Sequence, residues 1–287
     1  MVRIAHISDL HLSTLSLNPM HLFSKRWIGM LNLLFVRKKL YQKKLLDIAI
    51  DEFSSMNLDA VIATGDFSTT SRKQEFLAAK QTLEKLSIPL FSLPGNHDMY
   101  TKHAHKSGLF YEYFTNQGKR LFPYSLQQDH IEVLQLPSNW VLILLDCARA
   151  TSIVFSTGLF DQQLEKLLID TLQKLPKDAQ IILANHFPFT KHMGPRKILK
   201  RADALREILH NESRIILYLH GHIHNQCIAD LRPSKLPIIL DPGSLTNIKK
   251  GSFHLMDLSF DTIQITPYFW EKGRFLPQPS KNISISH

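Results

Sequence analysis

Apolar and polar residues follow two patterns along most of the chain. Short aliphatic and β-branched runs recur between turn-forming residues, as is typical of buried strands. Six such runs occur in the first 221 residues: VRIAHIS, DAVIATG, IPLFSLPG, WVLILLD, QIILANH and IILYLHG. Between several of them lie stretches of helical period, at 39–56, 74–86, 161–175 and 201–210. Strands that alternate with helices predict βαβ units and an α/β fold.

After His224 the pattern changes to strands without intervening helices. These runs are QCIADL, LPIILD, SFHLMDL and TIQITPY. We therefore expect two packed mixed sheets flanked by helices, within a single domain over residues 1–275. The remaining residues, 276–287, have the polar composition of a flexible tail.

Charge and cysteine content indicate which partners and which cellular compartment suit the protein. The 287 residues carry a formal net charge of +9, which suits an anionic partner but does not identify one. Cys147 and Cys227 lie far apart, so the sequence predicts no disulfide framework and favours a reducing compartment. The first residues lack the pattern of a secretory signal, so we expect a cytoplasmic protein.

Candidate chemistry is concentrated where the predicted strands end, which is where α/β folds build their sites. Asp66 could bridge two cations, because its carboxylate has two oxygens and Gly65 permits close backbone approach. Asp9 and His11 are separated by one residue, so in an extended segment their side chains would point the same way. Seven residues form the candidate ligand set: Asp9, His11, Asp66, Asn96, His186, His222 and His224.

The joint occurrence of these residues favours a metal site over seven independent structural roles. Mixed oxygen and nitrogen ligands suit manganese, iron, zinc or cobalt better than calcium, and manganese is our first choice. Four other polar residues lie within or beside buried strands without a matching partner, and we interpret them as structural. They are His6, His220, Asp146 and Asp241.

The motifs D-x-H, G-D, G-N-H-D, a lone H and G-H-x-H resemble, in this order, the five motifs of calcineurin-like metallophosphoesterases. The resemblance implies a four-layered α/β/β/α sandwich and a dinuclear centre. Asp66 would bridge one ion, held also by Asp9, His11 and His224, and a second ion, held also by Asn96, His186 and His222. The two ions would polarise the phosphoryl group and activate water.

Two residues of the G-N-H-D motif are implied to act beside the metals. His97, which the family leaves unligated, would stabilise the phosphoryl group or protonate the leaving oxygen. Asp98 would support His97 by orienting it.

A basic and apolar insertion, at about 19–44, follows the first ligand pair. Its centre, Trp27 to Val36, is flanked by basic residues that include Arg26, Arg37 and Lys38. About ten apolar residues cannot span a bilayer, which needs roughly 20. They could dip into one leaflet of an anionic membrane, line a groove for an acyl chain, or form an ordinary buried helix.

The insertion resembles that of enzymes that cleave UDP-2,3-diacylglucosamine in lipid A synthesis. In the better-known branch Arg stands where this chain has His97, so the resemblance is to the chlamydia-type branch. It implies release of lipid X (2,3-diacylglucosamine 1-phosphate) and UMP, and peripheral contact with the inner face of a bacterial inner membrane. Arg149 and Arg196 are further candidates for contacts with the nucleotide or diphosphate, although Arg196 belongs to a basic run that would equally suit a solvated helix face.

Two other functions are compatible with the same residues. A soluble cyclic-nucleotide or broad-specificity phosphodiesterase needs the five motifs and nothing more. A non-catalytic membrane-binding scaffold would keep the fold, but should have lost metal ligands. Nucleic acid is not an expected partner, because the basic residues are not interleaved with an aromatic platform.

Overall fold

The computed structural model describes residues 1–14, 38–152, 155–190 and 194–285. Its strands are β1 (Val2–Ile7), β2 (Ala60–Ala63), β3 (Leu90–Ser92), β4 (Ile131–Gln135), β5 (Trp140–Leu145), β6 (Gly158–Leu159), β7 (Gln180–Asn185), β8 (Leu199–Lys200), β9 (Ile215–Leu219), β10 (Cys227–Asp230), β11 (Ile238–Asp241), β12 (Ser252–Leu258), β13 (Thr262–Glu271), β14 (Arg274–Pro277) and β15 (Lys281–Ser284).

The helices lie mainly in the first three quarters of the chain. They are α1 (Lys38–Leu40), α2 (Lys43–Phe53), α3 (Lys73–Leu83), α4 (Lys102–Ser107), α5 (Leu126–Asp129), α6 (Gln162–Lys174) and α7 (Ala202–Asn211), with 3₁₀ turns at Leu109–Glu112 and Arg232–Ser234. None of the helices in the described ranges is long and apolar enough to cross a membrane.

Two mixed sheets form the centre of the fold. The first has seven strands, in the order β14-β13-β12-β1-β2-β3 with β15 also paired to β13, and β1, β2 and β3 run parallel. The second has the order β10-β11-β9-β7-β5-β4, in which β5, β7, β9 and β11 run parallel and the two edge strands are antiparallel. A short parallel pair, β6 and β8, stands beside them. The α/β architecture of mixed sheets flanked by helices is therefore confirmed.

The central strands of each sheet are buried on both faces. In β1, Val2 and Ile4 belong to the core cluster between the two sheets, whereas Ala5 and Ile7 belong to the cluster that includes helix residues. This alternation explains why the strands appear in the sequence as continuous apolar runs. The buried face of α2 repeats at helical spacing, from Leu45 to Phe53, as expected for a helix lying on a sheet.

The structure corrects several details of the sequence interpretation. The helix predicted over 39–56 is divided, because Tyr41 forms a β-bridge with Asn247 between α1 and α2. The flexible tail predicted for 276–287 is wrong for the described part: β14 and β15 pair with β13, Ile283 lies opposite Ile263, and Ile285 is buried. Strand β4 was not predicted, since its polar Glu132 and Gln135 interrupt the apolar run.

Candidate metal centre

The predicted ligands converge at one edge of the two sheets. Asp9, Asp66 and Asn96 follow the carboxyl ends of β1, β2 and β3, which are neighbours in the first sheet. His186 and His222 follow β7 and β9, which are neighbours in the second sheet. Because parallel strands end at a common edge, five segments distant in sequence reach one place.

One group of ligands surrounds a position between Asp9 and His224. The side-chain ligand atoms of Asp9, His11, Asp66 and His224 lie within 4.8 Å of one another. His224 Nε2 lies 2.9 Å from Asp9 Oδ1 and 3.0 Å from His11 Nε2. Two imidazole nitrogens at this distance repel unless a proton or a cation lies between them, so the arrangement fits a divalent cation.

The second group shares Asp66 with the first. Asp66 Oδ2 lies 3.7 Å from His11 Nε2 and 3.5 Å from His186 Nε2. His186 Nε2 is also 3.2 Å from Asn96 Oδ1, and the His186 ring stands 5.1 Å from that of His222. The carboxylate of Asp66 therefore lies between the two groups, as a bridging ligand would.

Hydrogen bonds to carbonyl groups select the ring nitrogens available to a metal. His186 Nδ1 lies 2.7 Å from the Thr64 carbonyl oxygen, and His222 Nε2 lies 3.1 Å from that of Lys197. A carbonyl oxygen only accepts, so these nitrogens carry the proton. The lone pairs are thus on His186 Nε2 and His222 Nδ1, as ligation requires.

The ligand loops adopt an unusual backbone conformation. Five of the seven candidates have positive φ: Asp9 (55°), His11 (45°), Asp66 (57°), His222 (73°) and His224 (57°). Such angles are uncommon for residues with a Cβ and cluster at functional sites. The extended geometry expected for Asp9 and His11 is therefore wrong, and their side chains are brought together by a turn.

Backbone contacts hold these turns against one another. His11 donates its amide to the Asp66 carbonyl at 2.8 Å, and the His222 amide donates to Asp9 Oδ2 at 3.0 Å. Gly221 makes the second approach possible, because a Cβ there would lie 1.9 Å from Ser8 Oγ and 2.5 Å from Asp9 Oδ2. The turns that carry ligands from different sheets are therefore interlocked.

Electrostatics favour the protonation states that bind cations. Burial opposes ionisation of Asp9, but the imidazoles of His224 and His11 hold the pKa of its carboxyl well below the usual value. Burial lowers the pKa of His186, and lowers that of His222 strongly. An ionised Asp9 and neutral His186 and His222 are the states in which these side chains bind a metal.

His97 lies beside the ligands with one ring nitrogen accounted for. Its Nδ1 is 2.7 Å from the Thr69 carbonyl oxygen, so Nδ1 donates and Nε2 is on the other edge of the ring. The ring stacks on Tyr100 and contacts His11 edge to face, with centroids 4.8 Å apart. The His97 amide donates to Asp66 Oδ1 at 2.7 Å.

The role expected for Asp98 requires correction. Its buried carboxylate accepts hydrogen bonds from the amides of Phe67, Ser68 and Gly95 and from Ser68 Oγ, at 2.9 to 3.2 Å. Burial raises the pKa of Asp98 to about 6, against the opposing effect of these donors. Asp98 thus ties the loop after β3 to the loop after β2, and His97 is oriented by Thr69 instead.

Tyr41 is a site residue that the sequence analysis missed. Its hydroxyl lies 2.9 Å from His224 Nδ1, and its ring is 4.8 Å from that of His11. It is separated from His224 by 183 residues. Only its position at the end of the basic insertion sets it apart in the sequence.

Only some of the residues proposed to contact the substrate lie in the described part of the chain. Arg149 donates to the carbonyls of Asp146 and Ala148 and lies 3.3 Å from Asp161 Oδ2, contacts that account for it structurally. Arg196 is exposed in the loop next to Lys197. Trp27, Arg26 and Arg37 lie outside the described residues, and for Lys38 only the backbone, at the start of α1, is described.

The four polar residues interpreted as structural are all buried. His6 contacts Thr64 Oγ1 at 3.0 Å, and Asp146 accepts from Tyr111 and the Ala148 amide. His220 Nδ1 lies 3.6 Å from Asp241 Oδ2. None of the four belongs to the group of converging ligand atoms found in the described part of the chain.

The chain resembles known proteins over its whole length in structure and over part of it in sequence. A dimetal phosphatase from Danio rerio matches with a TM-score of 0.70 at 14% identity, over 99% of both chains. A purple acid phosphatase from yellow lupin matches with a TM-score of 0.64 at 9% identity, over 99% of this chain and 53% of the other. At these identities the likeness establishes the fold.

Sequence relatives are phosphodiesterases. The chain is 27% identical, over 172 residues, to a 3',5'-cyclic adenosine monophosphate phosphodiesterase, CpdA, of Haemophilus influenzae, covering 58% of this chain and 55% of that protein. It is 25% identical to a probable glycerophosphodiester phosphodiesterase, GpdQ, of Arcobacter nitrofigilis, covering 58% and 56% respectively. The matched region therefore spans little more than half the length of these relatives.

The family model described as calcineurin-like phosphoesterase matches residues 2–226, which include every predicted ligand. The donor set of two carboxylates, one amide oxygen and four imidazoles suits divalent cations of this chemistry. The chain belongs to the calcineurin-like phosphoesterases and has the architecture of a metal-dependent phosphohydrolase.

Proposed function

We propose that this phosphoesterase cleaves UDP-2,3-diacylglucosamine into 2,3-diacylglucosamine 1-phosphate and UMP, with two divalent cations and manganese as the preferred metal. The hydrolytic part rests on one observation: the Asp66 carboxylate lies between two ligand groups, with His97 beside them. The lipid part rests on the insertion and on where its described end lies.

Different residues of the chain would perform different steps of hydrolysis. Two bound cations would polarise the phosphoryl oxygens and activate water for attack at phosphorus. The Thr69 carbonyl accepts the proton of His97 Nδ1, so in the imidazolium form His97 would donate the proton on Nε2 to the leaving oxygen. Asp98 joins the loop after β2 to the loop after β3 by hydrogen bonds, which maintain the distance between His97 and Asp66.

The described end of the insertion lies against the metal centre. Tyr41, which follows α1, contacts His224 and His11. The described part of the insertion, from residue 38 onward, therefore reaches the ligands at Tyr41. In the sequence, the apolar segment with basic flanks precedes this part of the chain, and such a segment suits a substrate that combines a diphosphate with acyl chains.

A basic surface near the same point supports contact with anionic headgroups. The Ile248 amide donates to the Leu40 carbonyl at 2.8 Å, which brings the exposed Lys39 close to the exposed Lys249 and Lys250. Lysines clustered on one surface attract anionic lipids. We propose that the protein binds the inner face of a bacterial inner membrane peripherally. Sedimentation with vesicles would test this: binding should need anionic lipid and should fall as salt rises.

Cyclic-nucleotide phosphodiester hydrolysis is the second candidate. It is favoured by the similarity to CpdA and to a 3',5'-cyclic-nucleotide phosphodiesterase of Nostoc, 25% identical over 171 residues. The five motifs suffice for such a substrate. A non-catalytic scaffold is less consistent with the chain, since all seven ligand positions carry metal-binding residues.

The deciding experiment compares three substrates with one purified protein. UMP release from UDP-2,3-diacylglucosamine, in mild detergent with manganese, is measured beside cleavage of cyclic AMP and of bis-p-nitrophenyl phosphate. Asp66→Ala serves as the inactive control. UMP release that this variant lacks is the expected result.

Other outcomes each contradict a defined part of the proposal. Cleavage of cyclic AMP and the small diester without UMP release would remove the lipid substrate and leave a phosphodiesterase. Inactivity on all three substrates, with metal bound, would favour the scaffold. Deletion of Trp27 to Val36 should abolish turnover of the acylated substrate and spare the small diester; equal loss on both would make the segment ordinary core.

A further inference from the structure

We infer that Tyr41 is a positioning residue of the metal centre, whose hydroxyl fixes the ring of His224 for ligation. The Tyr41 hydroxyl lies 2.9 Å from His224 Nδ1, while His224 Nε2 faces Asp9 Oδ1 at 2.9 Å. The two nitrogens of one imidazole thus meet different partners. A hydrogen bond from Nδ1 to the tyrosine oxygen leaves the lone pair on Nε2, where the ligand group converges.

The ring of Tyr41 adds a second restraint. It lies 4.8 Å from the His11 ring and 6.0 Å from the His224 ring, the latter at an interplanar angle of 87°. It therefore packs against both histidines of the first ligand group. His224 is partly exposed and has a left-handed backbone, so the contacts of its ring with Tyr41, His11 and Asp9 determine its orientation.

The backbone around Tyr41 is hydrogen-bonded to the segment 244–248, which also contacts the backbone of Asp9. The residues on either side of it are tied to the 246–248 loop: Gln42 donates its amide to the Thr246 carbonyl, and Ile248 donates to that of Leu40. In the same loop Thr246 Oγ1 donates to the Leu10 carbonyl at 2.5 Å, and Ser244 Oγ nearby donates to that of Asp9 at 2.6 Å. The segment from Ser244 to Ile248 therefore positions both the Tyr41 hydroxyl and the Asp9 carboxylate.

The orientation of His224 differs from that of two other candidate ligands, His186 and His222. His186 and His222 are oriented by backbone oxygens, which no substitution removes. His224 depends on a side chain, so its orientation can be altered by a single atom. Tyr41→Phe removes the oxygen and keeps the ring.

The test is a titration of metal-free protein with Co²⁺, followed by calorimetry and by the visible spectrum of the bound ion. In Tyr41→Phe we expect one of the two ions to bind about 10- to 100-fold more weakly, with a changed cobalt spectrum, and the other to bind as in the wild type. Activity at limiting Co²⁺ should fall and should recover at high Co²⁺. Tyr124→Phe is the matched control, because it removes the same hydroxyl from a ring that stacks on Phe122.

The outcomes separate this inference from the proposed function, whose metal dependence it assumes. Equal Co²⁺ affinities and spectra in wild type and Tyr41→Phe would overturn the role of Tyr41 and leave the function intact. Loss of the cooperative unfolding transition in Tyr41→Phe would also overturn it, by making Tyr41 a folding residue. Failure of the wild type to bind two ions would overturn the dinuclear function itself.

Discussion

The backbone of Gly95 lies directly against the carboxylate of Asp66. A Cβ built on Gly95 would stand 2.2 Å from Asp66 Oδ1 and 2.6 Å from the Asp66 amide nitrogen. Both are far below a possible contact, and one of them involves backbone, which cannot rotate away. Since Asp66 touches both ligand groups, a side chain at position 95 would disturb both.

Gly95→Ala should therefore weaken the binding of both ions and lower kcat/KM by about 100-fold, the loss associated with a displacement of about 1 Å in a catalytic site. Metal stoichiometry and turnover of bis-p-nitrophenyl phosphate would be measured together. Gly194→Ala is the control, because a Cβ there would meet no atom of the described residues within 4 Å. Wild-type metal binding in Gly95→Ala would contradict the bridging position of Asp66.

His97→Ala should lower kcat by about 10² to 10⁴ on a substrate with a poor leaving group, because the general acid is lost. The loss should be smaller on bis-p-nitrophenyl phosphate, whose leaving group needs no proton. Two metal ions should still bind, since the ring of His97 is outside both ligand groups.

His103→Ala, on the exposed side of α4, is the control for that measurement. Equal losses on both substrates would assign His97 to stabilising the phosphoryl group and not to protonating the leaving oxygen.

Removal of metal should destabilise the fold as well as abolish turnover. Seven side chains from five loops converge at the candidate metal centre, and each ion bound there would stabilise the folded state by about 2.7 kcal/mol at a free concentration of 100 times its Kd. A chelator should lower the unfolding temperature, and Mn²⁺ should restore it. In Asp66→Ala the chelator should have a much smaller effect; an equal effect would place the stabilising metal elsewhere.

Three buried histidines predict that the protein loses stability in acid. Burial lowers the pKa of His254 to about 3 and that of His220 to about 4, and lowers that of His6 well below 6.5. The unfolded chain binds protons at these sites below pH 6.5, whereas the folded protein does not. Their stabilising effect is therefore complete above pH 6.5 and is lost as the pH falls toward about 3.

His254→Leu tests this dependence. His254 is paired with His6 across β1 and β12 and contacts Gln226 Nε2 at 2.9 Å. Each such histidine contributes up to about 1.4 kcal/mol per pH unit to the slope of stability against pH. Denaturant unfolding at several pH values should give a flatter slope in His254→Leu than in the wild type. An unchanged slope in His254→Leu would show that His254 does not contribute to the dependence of stability on pH.

The fold and the candidate ligands could be predicted because both depend on local patterns. Strands covered on both faces appear as apolar runs, and parallel strands end at a common edge. Asp9, Asp66 and His222 each follow such a run, so their convergence follows from topology alone. The same reasoning failed for the segment after 276, because the pairing of β14 and β15 with β13 depends on a partner outside the segment.

Only the tertiary structure decided how the ligands are oriented. Asp9 and His11 come together through positive φ angles imposed by contacts with the loop after β2, and no local spacing predicts such angles. The carboxylate of Asp98 turns to three backbone amides and not to its neighbour His97. The sequence by itself determined which residues could bind metal and which strands they follow. The contact between Tyr41 and His224 was decided by folding, because the direction of a hydroxyl toward a ring 183 residues away depends on every element between them.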